Sequence, residues 1–126
     1  MPTPSTDDLI DIAHSVTGRP VLWHRGGPKG DWDGQQISVR HGMSDTQTRS
    51  TIAHELVHAW RGDPCGHCPT NEHRADRLAA RLLITPGAYA QAEAVYDGDL
   101  AKIADDLGVT THLLAVWREF YEREMI

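Results

Sequence analysis

Apolar residues recur along this chain with two periods, and the switches between them outline the fold. Leu9, Ile12, Ala13 and Val16 fall at i, i+3, i+4 and i+7, the spacing of one helix face. That helix spans about Asp7 to Thr17. Ser5 or Thr6 caps it, Asp7 and Asp8 suit its positive N-terminal end, and Gly18 ends it. "RPVLWHR" then reads as a short strand and "GGPKGDWDG" as a turn-rich loop. "QQISVR" reads as a half-buried strand, in which Ile37 and Val39 alternate with polar neighbours. The helical period returns at Asp45 and runs to Arg61. Ser44 and Gln47 form an S-x-x-Q capping pattern at its start, and Gly62 stops it. "GDPCGHCPT" is a loop over residues 62–70. A further helix spans Asn71 to Leu83, with Ala75, Leu78, Ala79 and Leu82 on one face, and Pro86 opens another at its first turn. "LAKIADDLG" and "THLLAVWREFYERE" are two last helices around Gly108. The prediction is an α+β fold, a short antiparallel or mixed sheet with helices around and after it. Strand 36–40, just before the Asp45 helix, is expected at a sheet edge that an extended peptide can join.

Composition narrows what such a fold does. The 126 residues fit one domain, 1–126, with the helices of residues 97–126 packed on it. A chain of this size buries roughly two thirds of its unfolded surface, so it needs neither disulfides nor a metal merely to stay folded. The formal net charge of −6 argues against nucleic acid as a partner through bulk electrostatics. No apolar run approaches the roughly 18 residues of a membrane span. "MPTPSTDDLID" lacks the basic region and apolar core of a signal peptide. Two cysteines, Cys65 and Cys68, are too few for a disulfide framework, which points to a reducing cytoplasm.

The candidate chemistry lies in "TIAHELVHAW", residues 51–60. Residues four apart on a helix lie one above the other, so His54 and His58 can present two imidazoles to one ion. Glu55 can reach the ion's open side. Zinc hydrolases need this set: ligands that leave a coordination position open, and a carboxylate that takes a proton from water. The pattern is H-E-x-x-H. Ile52, Leu56 and Ala59 bury the helix beside the histidines. Glu72, at the start of the next helix, is the expected third ligand. Asp76, one turn further on the same face, is placed to receive the other ring N–H of a ligand histidine.

Two rival readings use other residues. "PCGHCP" is a C-x-x-C, and Cys65 and Cys68 with His54 and His58 would make a closed, structural Cys2His2 zinc site. The two cysteines could also hold a second metal or act as a redox pair. Residues 100–120 have the rhythm of a helix-turn-helix, which would suit a DNA-binding regulatory module. Residues 97–126, however, hold seven acidic and three basic side chains, the wrong sign for phosphate contacts. Two helices packed on the core, with Trp117, Phe120 and Tyr121 inside or at an interface, fit that charge better.

"TIAHELVHAW" followed by E-x-x-A-D in "EHRADRLAARLLITP" resembles the ImmA/IrrE family of small metallopeptidases, over about residues 20–90. The resemblance implies a zincin-like fold, zinc on His54, His58 and Glu72, and Glu55 as general base. It implies protein substrates, often transcriptional repressors of mobile elements such as phage. A second oxyanion donor is expected, with His67, His73, Tyr89 and Tyr96 as candidates. The chain departs from the family pattern at Cys65 and Cys68. No separate N-terminal DNA-binding domain or long C-terminal sensor domain is expected.

Overall fold

The computed structural model describes residues 3–64 and 69–121. Cys65 and Cys68, on which the rival zinc readings rest, and His67, a candidate oxyanion donor, lie outside the described residues, as do residues 122–126. The chain forms α1 (Thr6–Thr17), β1 (Leu22–His24), β2 (Gly30–Trp32), β3 (Ile37–Arg40), α2 (Asp45–Arg61), α3 (Pro69–Leu83), α4 (Pro86–Tyr96), α5 (Leu100–Leu107) and α6 (Thr111–Phe120). The fold is α+β, as the hydrophobic pattern predicts.

The helix ends follow the capping chemistry. At α1 the box is reciprocal: Ser5 Oγ accepts from the Asp8 N–H, and Asp8 accepts from the Ser5 N–H. At α2, Ser44 Oγ accepts from the Gln47 N–H. Gly18, Gly62 and Gly108 stop α1, α2 and α5 in the left-handed conformation.

The sheet corrects two expectations. Its order is β1-β3-β2, with β1 parallel and β2 antiparallel to β3. The strand of residues 36–40 is therefore central, and the edge next to α2 belongs to β2. β2 lies inside the segment read as a turn-rich loop. Its three residues, Gly-Asp-Trp, are too few to show alternation, and Gly and Asp are poor strand formers. Pairing with β3 (Gly30 opposite Val39, Trp32 opposite Ile37) overrides that local preference.

Helix α2 is the centre of the molecule: α1, α3, β2 and β3 all pack on it. Ile52 and Ala53 are fully buried, as are Ile37 and Val39 of β3 and Ala75 and Ala79 of α3. Ala75 and Ala79 follow Glu72 by three and seven residues, so small side chains let α3 approach α2 closely along the stripe that carries Glu72. The predicted stripes are only half buried. Leu9 and Ala13 are inside, whereas Ile12, Val16 and Leu82 are more than a third exposed and border an apolar groove with Trp60. At the C-terminal end Trp117 is buried against Tyr89, and Arg77 and Arg81 of α3 lie over the rings of Phe120 and Tyr121. No helix among the described residues is long and apolar enough to cross a membrane.

Candidate metal centre

Helix α2 carries His54, Glu55 and His58 on one face, and its stop completes part of the site. The N–H of Gly62 bonds to the Ala59 carbonyl and that of Asp63 to the His58 carbonyl, the paired bonds of a Schellman motif. This turn folds Asp63 back over the helix end, where its Oδ2 lies 2.9 Å from His58 Nδ1. Trp32 Nε1 donates to the Asp63 carbonyl at 2.7 Å, so β2 pins the same turn. On the other side α3 brings Asp76 Oδ1 to 2.8 Å from His54 Nδ1. A carboxylate accepts, so each Nδ1 carries the hydrogen and each Nε2 turns a lone pair inward. Asp76 thus stands where the helix spacing puts it. Asp63 was not foreseen. Its signal is a carboxylate directly after the glycine that stops the helix of the two candidate ligand histidines.

The two Nε2 atoms are 3.2 Å apart, and the Glu72 oxygens lie 2.7 Å from that of His58 and 3.2 Å from that of His54. Donor atoms around a four-coordinate zinc, bound at about 2.0–2.1 Å, lie about 3.3 Å from one another. The three groups thus fit one ion. Two lone pairs and a carboxylate cannot satisfy each other at these distances without a cation between them, either a proton or a metal. Burial disfavours charge on His54. The Asp76 hydrogen bond and the charges of Glu55, Asp76 and Glu72 outweigh it and raise the imidazole from 6.5 to about 9. His58 is fully buried, while the Glu72 side chain is 43% exposed, which leaves the approach from the Glu72 side open to water.

Glu55 is held differently. It is buried, and its Oε2 has no hydrogen-bond partner. Burial pushes its carboxyl from 4.5 up to about 7, against the pull of His54 and His58 and with help from Glu72 and Asp31. A carboxylate kept out of water, with one oxygen unpartnered, beside three groups that could hold a metal ion is suited to proton transfer near neutral pH.

The family model described as the IrrE N-terminal-like domain, a peptidase family, matches residues 11–116. The chain belongs to this family. No curated protein and no solved structure matches it. The IrrE-like match covers α5 and most of α6, and it fits the packing of α6 on α3. Family and donor set together mark a function of the metallopeptidase type.

In this IrrE-like domain a cleft of about 380 Å³ opens in front of Glu55 and His54. Lys29 and Gly30, Ser50 and Thr51 of α2, Asp76 of α3, and Thr110, His112 and Leu113 line it with them. The expected oxyanion donors among the described residues are placed elsewhere. Tyr89 and Tyr96 belong to α4, where their hydroxyls bond Glu93 and Asp106. His73 is exposed on α3 and does not line the cleft. His112 does, and sequence reading missed it, because nothing local links it to Asp76, 36 residues away.

Proposed function

We propose that the chain is a zinc-dependent endopeptidase that cleaves a protein substrate, with His54, His58 and Glu72 holding the ion and Glu55 as general base. One observation carries the reading: both Nε2 atoms and a carboxylate converge while both Nδ1 atoms are held by carboxylates, an arrangement suited to ligand histidines. When bound, the ion supplies Lewis acidity, lowering the pKa of water toward ~7 and polarising a carbonyl. Glu55 takes the proton of the attacking water and passes it to the leaving amine. A cation among its neighbours draws its carboxyl down, so it is ionised when needed. Asp76 and Asp63 keep the two imidazoles in one tautomer and one orientation. Gly30 puts the β2 edge directly against Glu55, and an extended substrate strand adds along that edge. The family resemblance supports a transcriptional repressor or regulator of a mobile element, met in the cytoplasm, as the substrate.

The test is zinc content together with cleavage of a proteome-derived peptide library in water enriched in heavy oxygen. The expected result is one zinc per chain, cuts that stop on chelation and return with zinc, and label in the new carboxyl ends. Replacing Cys65 and Cys68 together by serine should leave that zinc in place. Its loss would favour the structural Cys2His2 site. A zinc-loaded parent that cuts nothing would refute the peptidase reading.

A further inference from the structure

The α5–α6 pair has the outline of a helix-turn-helix, yet its turn is fastened to α2 at Arg49 and Ser50, one turn before His54. Arg49 of α2 is 7% exposed. Its Nη1 donates to the carbonyls of Leu107 and Gly108 at 3.0 and 2.9 Å, its Nε to Pro4 O at 2.9 Å, and its Nη2 to Thr3 Oγ1 at 3.0 Å. Ser50, the next residue, accepts from the Thr110 N–H at 3.2 Å. Thr110 caps α6 through the Leu113 N–H. His112, in the first turn of α6, therefore stands on a mount set by α2 itself, one turn before His54.

From that mount His112 Nε2 meets Asp76 Oδ2 at 2.9 Å, while Asp76 Oδ1 meets His54 Nδ1 at 2.8 Å. A carboxylate with one partner can swing about its last bond or exchange its oxygens. A carboxylate held through both oxygens cannot. The contacts close a ring from Ser50 to Thr110 and His112, across to Asp76, and back to His54 on α2. We propose that His112 is a positioning residue of the metal centre: it locks the Asp76 carboxylate, and through it the imidazole of His54. The inference rests on the metal-site reading above. It extends that reading by making α6 part of the scaffold of the ion.

His112 is 69% exposed, so its replacement should leave the fold intact, which circular dichroism checks. An exposed ion pair with no further role contributes little to stability and nothing to metal affinity. The experiment uses the full chain and compares the parent with His112→Leu, which cannot donate, and His112→Gln, whose amide reaches the same carboxylate oxygen. Zinc affinity is read by competition with a chromophoric chelator, and ligand geometry by the visible spectrum of the cobalt-loaded protein. His112→Leu should bind zinc about 10-fold more weakly, the lower end for a lost partner of a ligand histidine, with an altered cobalt spectrum. His112→Gln should stay within about threefold of the parent. In the Asp76→Ala background, His112→Leu should add no further loss. A His112→Leu chain that matches the parent in affinity and spectrum overturns the proposal, and so does a glutamine variant as weak as the leucine one. If the parent binds no zinc, or His54→Ala binds it as well as the parent, the metal-site reading itself fails.

Discussion

Replacing Glu55 by glutamine separates the cost of a buried base from its use. The parent carboxyl lies at about 7 in the metal-free fold and near 4.5 in the unfolded chain. Between these values the folded chain keeps a proton that the unfolded chain has released, so stability falls as pH rises through this window and stays lower above it. The full effect is about 3 kcal/mol at 1.36 kcal/mol per tenfold. His54 acts in the same direction. Its contribution is complete below 6.5 and is lost as pH rises through about 9. Glutamine has nearly the same shape and no charge to desolvate. It also removes one of the charges that raise His54, which offsets part of the gain. The metal-free variant should therefore be more stable than the metal-free parent by about 1–3 kcal/mol at pH 8, a rise of roughly 5–10 °C in Tm, with the two converging at pH 4. Thermal unfolding in excess chelator at both pH values gives the comparison. The zinc-loaded variant should keep its metal and lose hydrolysis by about 10²–10⁴-fold. Equal Tm values at pH 8 would show that burial does not hold Glu55 as described. Equal cleavage would remove it as the base.

Three further outcomes follow from the same contacts. In chelator competition the parent should hold zinc most tightly, Asp76→Ala about 10–100-fold less, and Glu72→Ala least; a Glu72→Ala chain with parental affinity would place the third ligand elsewhere. Gly30→Ala would put a Cβ 2.5 Å from Thr51 Cγ2 and 3.0 Å from Glu55 Cγ. It should cost about 1–3 kcal/mol by overpacking and lower kcat/KM, and Thr51→Ser, which removes the nearer atom, should recover most of the Tm. Arg49→Met should destabilise by about 2–4 kcal/mol in denaturant titration, since it strands carbonyls that a charged donor now satisfies; a loss below about 0.5 kcal/mol would mean that the α5–α6 turn holds without it.

What could be read from the sequence is local. Ser44 before the Asp45 helix and Gly62 after it bound α2 by capping chemistry alone, and the spacing of His54, Glu55 and His58 puts them on one face of any helix. Asp76 could be placed on the face of Glu72 because four residues is again one helical turn. What could not be read depends on pairing across the chain. β2 exists because β3 supplies its partner, so a Gly-Asp-Trp segment gives no sign of it. His112 needed the docking of α6 on α3, whereas Asp63 had a local signal, a carboxylate directly after the glycine that stops α2. The exposed half of the α1 stripe shows the same boundary from the other side: periodicity tells which residues share a face, and only tertiary packing decides how much of that face is covered.

The Schellman stop of α2 has a consequence for how the centre can be moved. Between His54 and Asp63 the chain carries two candidate ligands, the candidate base and the orienting partner of one ligand, all referred to a single helix axis. This is a portable half-site. Grafted onto another scaffold, it would bring its own alignment for His58 and would ask of the host a facing helix, with small residues at the crossing and a glutamate and an aspartate one turn apart, and a donor that holds the aspartate as His112 does. Shortening the graft at Arg61 would leave out the alignment with the stop, and the host would then have to supply a second orienting carboxylate.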